Sequence, residues 1–88
     1  MKIRLSGNLL RFSGFRDEID VSGSTIAMGI SGLVEGCPDL RTVIYDAAGR
    51  VRAVHRVFLN GDLLAVDDLN RATAANDEVT ILTAIAGG

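Results

Sequence analysis

The sequence closes on Ala84, Ile85, Ala86, Gly87 and Gly88. The group here that could do chemistry is the carboxylate of Gly88. Two glycines pack nothing and cost the most entropy to order, so a fold gains nothing by ending on them. They do let a tail thread a narrow channel, because no Cβ meets the walls. Five extended residues reach at most roughly 17 Å, enough to carry a carboxylate from one protein into the pocket of another. A free carboxylate is a poor acyl donor. Adenylation makes it a good one, and a sulfur nucleophile can then convert it to a thiocarboxylate. A tail of this kind could carry an activated group or sulfur at Gly88, with Ala84, Ile85, Ala86 and Gly87 threading into a partner.

The other reactive side chains form no constellation. Cys37 is the single cysteine and precedes Pro38. A catalytic thiol needs a base nearby, and His55, the single histidine, stands well away in sequence. Cys37 therefore reads as a small apolar residue. No catalytic residue and no metal site are expected, and a cysteine-ligated iron–sulfur cluster is excluded. The acidic residues Asp17, Glu18, Asp20, Asp67 and Asp68 read as solvated surface.

The elements that must position the tail follow from periodicity. "KIRLS" alternates, with Ile3 and Leu5 on one face and Lys2 and Arg4 on the other, as in a half-buried strand. "NLLRFSGFR" reads as a hairpin loop. "DEIDVSG" alternates again, with Ile19 and Val21 inward. Ile26, Ile30, Leu33 and Val34 then share a helical face, with Ser24 or Thr25 as N-cap and Gly36 and Pro38 as the stop. Gly29 and Gly32 interrupt this helix at a cost of up to about 1 kcal/mol each against Ala. "PDLRTVIYDAAGR" reads as a short helical or irregular segment and a turn at Ala48-Gly49. "VHRVFLNGD" is a strand ending in an Asn60-Gly61 turn. "LLAVDDLNRATAANDE" holds a short strand and one helical turn near Asp67 to Leu69. "EVTILTAI" is the last strand, with Val79 and Ile81 inward.

This order predicts an α+β fold with one main helix on one face of a mixed sheet, the first and last strands parallel and central. It is the order of the β-grasp, or ubiquitin-like, fold. The domain is expected over residues 1–83 and a flexible diglycine tail over 84–88. If Val57, Leu59, Val79 and Ile81 point inward, Phe58 and Leu82 project from the outer face, where neighbouring apolar residues suggest a docking patch. Arg4 and Arg56 share that phase and would form its polar rim.

Bulk properties limit the partners. Eighty-eight residues make one domain, and 48% hydrophobic residues suffice for a core. A net charge of -2 argues against nucleic acid as the main partner. The charged start "MKIRLSGNLL" is unlike a signal peptide, and no apolar run is long enough to span a membrane. The expectation is a cytoplasmic protein without membrane contact. Lys2 is the only lysine, which almost excludes chains built on internal lysines.

The C-terminal half, "VFLNGDLLAVDDLNRATAANDEVTILTAIAGG", resembles the ubiquitin-like sulfur carriers. That family includes the small subunit of molybdopterin synthase, the thiamine sulfur carrier and the actinobacterial carrier of cysteine biosynthesis. "VFLNG" resembles their central strand and its Asn-bearing turn, "NDEVTIL" the approach to the last strand, and "AIAGG" the diglycine end. Upstream, "LLRFSGFRDEIDVSGST" looks most like the cysteine-pathway carriers. Asn76 stands where Gly is usual, and Thr83 where many members have Pro, which bears on the stiffness of the tail. The resemblance implies a carrier that is not itself an enzyme and binds no cofactor. It implies an activating partner of the ubiquitin-activating type, using ATP and magnesium. It also implies an acceptor enzyme, a sulfhydrylase or synthase, that takes sulfur for cysteine or another metabolite. Two other roles share the tail: the molybdopterin-synthase subunit, and a ubiquitin-like modifier joined to target lysines through Gly88. A third reading is a non-covalent interaction module.

Overall fold

A computed structural model describes residues 1–65 and 67–83. Val66 and the expected tail, residues 84–88, lie outside the described residues. Strands β1 (Lys2–Leu5) and β2 (Glu18–Asp20) are followed by helix α1 (Ile26–Gly36) and the short helix α2 (Arg41–Ile44). Strands β3 (His55–Leu59), β4 (Asp62–Leu63) and β5 (Glu78–Thr83) complete the order. The five strands form one mixed sheet in the order β2-β1-β5-β3-β4. β1 and β5 run parallel, Ile3 opposite Val79 and Leu5 opposite Ile81, while the other neighbours are antiparallel. β5 is thus the central strand, and the expected α+β β-grasp arrangement is what forms.

The inward phase of each strand meets α1. Ile3, Leu5, Ile19, Val57, Val79 and Ile81 are buried from the sheet, and Ile26, Ile30, Leu33 and Val34 from the helix. Leu40 and Ile44 close one end of the core and Met1 and Leu9 contribute from the N-terminal segment. Val21, expected inward, is half-buried at the strand's end.

Helix α1 starts where Thr25 accepts a hydrogen bond from the Met28 N–H through Oγ1 at 3.1 Å, the capping that Thr supplies. The first two helical N–H groups have tertiary acceptors. Ile26 donates to the Arg71 carbonyl at 3.2 Å and Ala27 to that of Leu69 at 2.8 Å. This explains one departure from expectation. No helix forms around Asp67 to Leu69. Turns at Asp68 and Arg71 present their neighbouring carbonyls to α1 instead. The short strand expected in this stretch forms at its start, at Asp62–Leu63. The loop expected in "NLLRFSGFR" contains a 3-10 helix, Gly7–Phe12, because Leu9 plugs the core at 0% exposure. A second 3-10 turn, Pro38–Leu40, leads into α2.

Candidate functional site: the outer sheet face and the root of the tail

The site is built on β5 and its two neighbours. The β3–β4 turn sets the geometry. Asn60 has φ 50° and Gly61 φ 90°, the left-handed pair that a two-residue hairpin requires. Asn60 also ties this turn to the start of β5. Its Oδ1 accepts from the Glu78 N–H at 2.9 Å, its own N–H donates to the Glu78 carbonyl at 2.8 Å, and its Nδ2 donates to Asp77 at 3.1 Å. Asp77 accepts a further bond from the Ala74 N–H at 2.7 Å. That bond, then the one from Asn60, holds its pKa below the usual carboxylate value. Asn76 has no positive φ, so a glycine is not required there.

Register then fixes the outer face. Arg4 lies opposite Thr80 across β1 and β5, and Thr80 lies opposite Phe58 across β5 and β3. Phe58 faces Leu63 across the hairpin, and Leu82 faces Arg56. Phe58 and Leu82 are therefore diagonal neighbours, a spacing of about 7–8 Å between backbones. Leu82 is 38% exposed, Phe58 half-buried, and Arg4 and Arg56 exposed. Phe58, Leu82, Arg4 and Arg56 all share this face. Leu63, 59% exposed, joins them. Sequence reasoning missed it, although a two-residue turn at Asn60-Gly61 places Leu63 opposite Phe58 by counting alone.

The two arginines differ in their engagement. Arg4 Nε lies 2.9 Å from Glu78, and its Nη2 also pairs with Glu18, which Lys2 approaches at 3.7 Å. Exposed pairs of this kind contribute about 0–1 kcal/mol. They place the Arg4 guanidinium between Glu18 of β2 and Glu78 of β5. Arg56 donates to the Ala53 carbonyl at 2.9 Å and forms no ion pair among the described residues.

The path from β5 to the tail is Thr83. Beside it, a shallow cleft of about 370 Å³ is lined by Asn8, Arg11, Phe12, Arg52, Val54 and His55, among others. His55 is buried at 4% exposure. One ring nitrogen lies 3.1 Å from Thr83 Oγ1 and the other 2.8 Å from the Val43 carbonyl. Both nitrogens are thus committed, and Cys37 is half-buried against the core at the end of α1. Among the described residues no three His, Cys, Asp or Glu side chains gather in a way that could hold a metal ion. No helix among them is long and apolar enough to cross a membrane. Gly88 and the threading residues Ala84, Ile85, Ala86 and Gly87 lie outside the described residues.

No family model and no curated protein matches the chain. Solved structures do. The crystal structure of small archaeal modifier protein 1 from Haloferax volcanii is 29% identical at a TM-score of 0.83, covering 99% of this chain and 97% of its own. CysO from Mycobacterium tuberculosis is 24% identical at 0.80, covering 96% and 98%. A chain of the Amycolatopsis orientalis BexX/CysO complex is 18% identical at 0.85, covering 99% and 98%. At these lower identities the likeness is one of fold. The strand order, the central β5 and these full-length likenesses converge: the chain has the ubiquitin-like β-grasp fold, and its structural neighbours are small carrier and modifier proteins of that fold.

Proposed function

We propose that the chain is a sulfur carrier that works through the Gly88 carboxylate. An activating enzyme of the ubiquitin-activating type, using ATP and magnesium, joins the carboxylate to AMP with release of pyrophosphate. A sulfur donor then displaces AMP and leaves a thiocarboxylate. An acceptor enzyme takes that sulfur for biosynthesis of cysteine or another sulfur-containing metabolite. The protein acts as substrate and handle, and its partners do the catalysis. The threading segment is Ala84, Ile85, Ala86 and Gly87, and the domain that presents it is 1–83.

The observation that carries this reading is the placement of Thr83. The central strand of the sheet runs to Thr83, the last described residue, so the chain that leads to the diglycine end continues from a strand with neighbours on both sides. The exposed face of Phe58, Leu63, Leu82 and Arg56 adjoins it. A partner gripping that face would be within about 17 Å of chain from Gly88. Burial of aromatic and aliphatic side chains beside an unpaired Arg suits protein recognition. The crystallised complex of BexX with CysO from Amycolatopsis orientalis supports a partner protein in the same way.

Intact mass spectrometry of the protein from its own cells tests the chemistry. The expected result is a species with sulfur in place of one oxygen at Gly88. A fully unmodified population, together with normal sulfur transfer after removal of Gly88, would sink the reading. A second reading is supported by the small archaeal modifier protein among the structural neighbours. In that case Gly88 ends in an isopeptide bond, and lysates would show discrete protein adducts with a diglycine remnant on lysine.

A further inference from the structure

We propose that His55 is a positioning residue for the tail, acting through the hydroxyl of Thr83. The inference rests on the reading that Gly88 is the working end. The backbone gives the first reason. The Asn60 N–H donates to the Glu78 carbonyl, and the Leu64 N–H to the Val57 carbonyl on the other side of β3. Antiparallel ladders alternate between bonded and non-bonded pairs. Counting from Asn60 and Glu78, the pairs Phe58–Thr80 and Arg56–Leu82 bond across β3 and β5. His55 and Thr83 fall on a non-bonded pair, where side chains approach most closely. Arg56 and Leu82 are therefore the last bonded backbone pair of β3 and β5 among the described residues. One residue nearer the tail, the link is the 3.1 Å contact of the imidazole with Thr83 Oγ1.

The ring is itself anchored. The Val43 carbonyl can only accept, so the nitrogen 2.8 Å from it, Nε2, carries a proton. In the neutral ring this leaves a lone pair on Nδ1, and the Thr83 hydroxyl donates to it. In the doubly protonated ring Nδ1–H donates to the same hydroxyl oxygen. A threonine hydroxyl serves both states, so the tie does not depend on the charge of the ring. At 4% exposure, water is a poor substitute for either partner. The result is a chain from the end of α2, through the imidazole, to the last described residue of β5. It fixes Thr83, the residue that leads into the tail.

The test uses the full chain. Long-range proton–nitrogen spectra of the wild-type ring are expected to show a single Nε2–H tautomer at neutral pH. A neutral Nδ1–H tautomer, or a freely averaging mixture, would overturn the proposal without any variant. Thr83→Val removes the hydroxyl at constant shape, and Thr83→Ser retains it. Thr83→Val is expected to speed amide exchange of Leu82 by about tenfold or more. The fraction carrying sulfur in its own cells is expected to drop several-fold, with Thr83→Ser restoring both. Equal loading of all three proteins would overturn the proposal. A wild type that carries no sulfur would instead strike at the carrier reading, while the tautomer and exchange results still decide whether the tie exists.

Discussion

At the scale of single residues, two side chains show how local cost and tertiary need trade off. Phe15 has φ 63° and is 74% exposed. A left-handed conformation costs a side chain with a Cβ about 1–2 kcal/mol, and little burial offsets it here. Its N–H donates to the Leu10 carbonyl at 2.8 Å, which closes the loop after the 3-10 helix. Phe15→Asn keeps that bond and suits the left-handed region better. It is expected to raise stability by about 0.5–1 kcal/mol, read as a higher urea midpoint. Phe58 is the opposite case. It is half-buried on the outer face between Thr80 and Leu63. Phe58→Asp is expected to weaken association with the activating enzyme while leaving the circular dichroism spectrum and cooperative melt intact. Unfolding of that variant would show that Phe58 belongs to the core.

At the scale of elements, helix α1 settles what its glycines are for. A Cβ at Gly32 would lie 3.7 Å from the Ser22 carbonyl oxygen, an ordinary contact. Gly32→Ala is therefore expected to gain about 0.5–1 kcal/mol from helix propensity and a less flexible unfolded chain. In a domain of this size that raises Tm by roughly 2–8 °C. A Cβ at Gly29 would overlap the thioether of Met1, which is 8% exposed and whose ammonium donates to the Val21 carbonyl at 2.9 Å. The flexible end of Met1 must then shift and give up part of the roughly 1.5–3 kcal/mol that burying such a side chain contributes, which offsets the helix gain. Gly29→Ala is expected to leave Tm unchanged or lower. A rise equal to that of Gly32→Ala would show that Met1 moves aside freely.

At the scale of the whole molecule, the carboxylates of Asp46 and Asp77, which fasten turns, couple stability to acid pH. The Arg50 N–H, at 3.0 Å, is the main cause holding Asp46 below its usual pKa of 3.8, with the Ala48 N–H adding to it. Asp77 is held down likewise by Ala74 and Asn60. A depressed folded pKa means that the unfolded chain takes up the proton first as pH falls. The contribution is thus complete above the ordinary carboxylate range and is lost as pH drops through the folded values. Urea midpoints are expected to change little from pH 7 to about 5 and to fall below about 4. Asp77→Asn should lower the midpoint at pH 7 and flatten the acid limb. An unchanged slope below about pH 4 would show that Asp77 contributes nothing to it.

Much of this was legible in the chain because its signals are local. Alternation put Ile3, Leu5, Val79 and Ile81 inward, and the helical spacing of Ile26, Ile30, Leu33 and Val34 gave the face that covers them. The Asn60-Gly61 pair demanded a tight hairpin, and the diglycine end named the candidate working group. Period and turn chemistry act within a few residues, so sequence alone carries them. What only the tertiary structure decided joins residues far apart. The carbonyls of Leu69 and Arg71 are drawn to the start of α1, which replaces an expected helical turn. Met1 fills the space above Gly29. His55 meets Thr83 and Val43. Each depends on where a distant donor or acceptor ends up once the core has closed, and no local pattern encodes that distance.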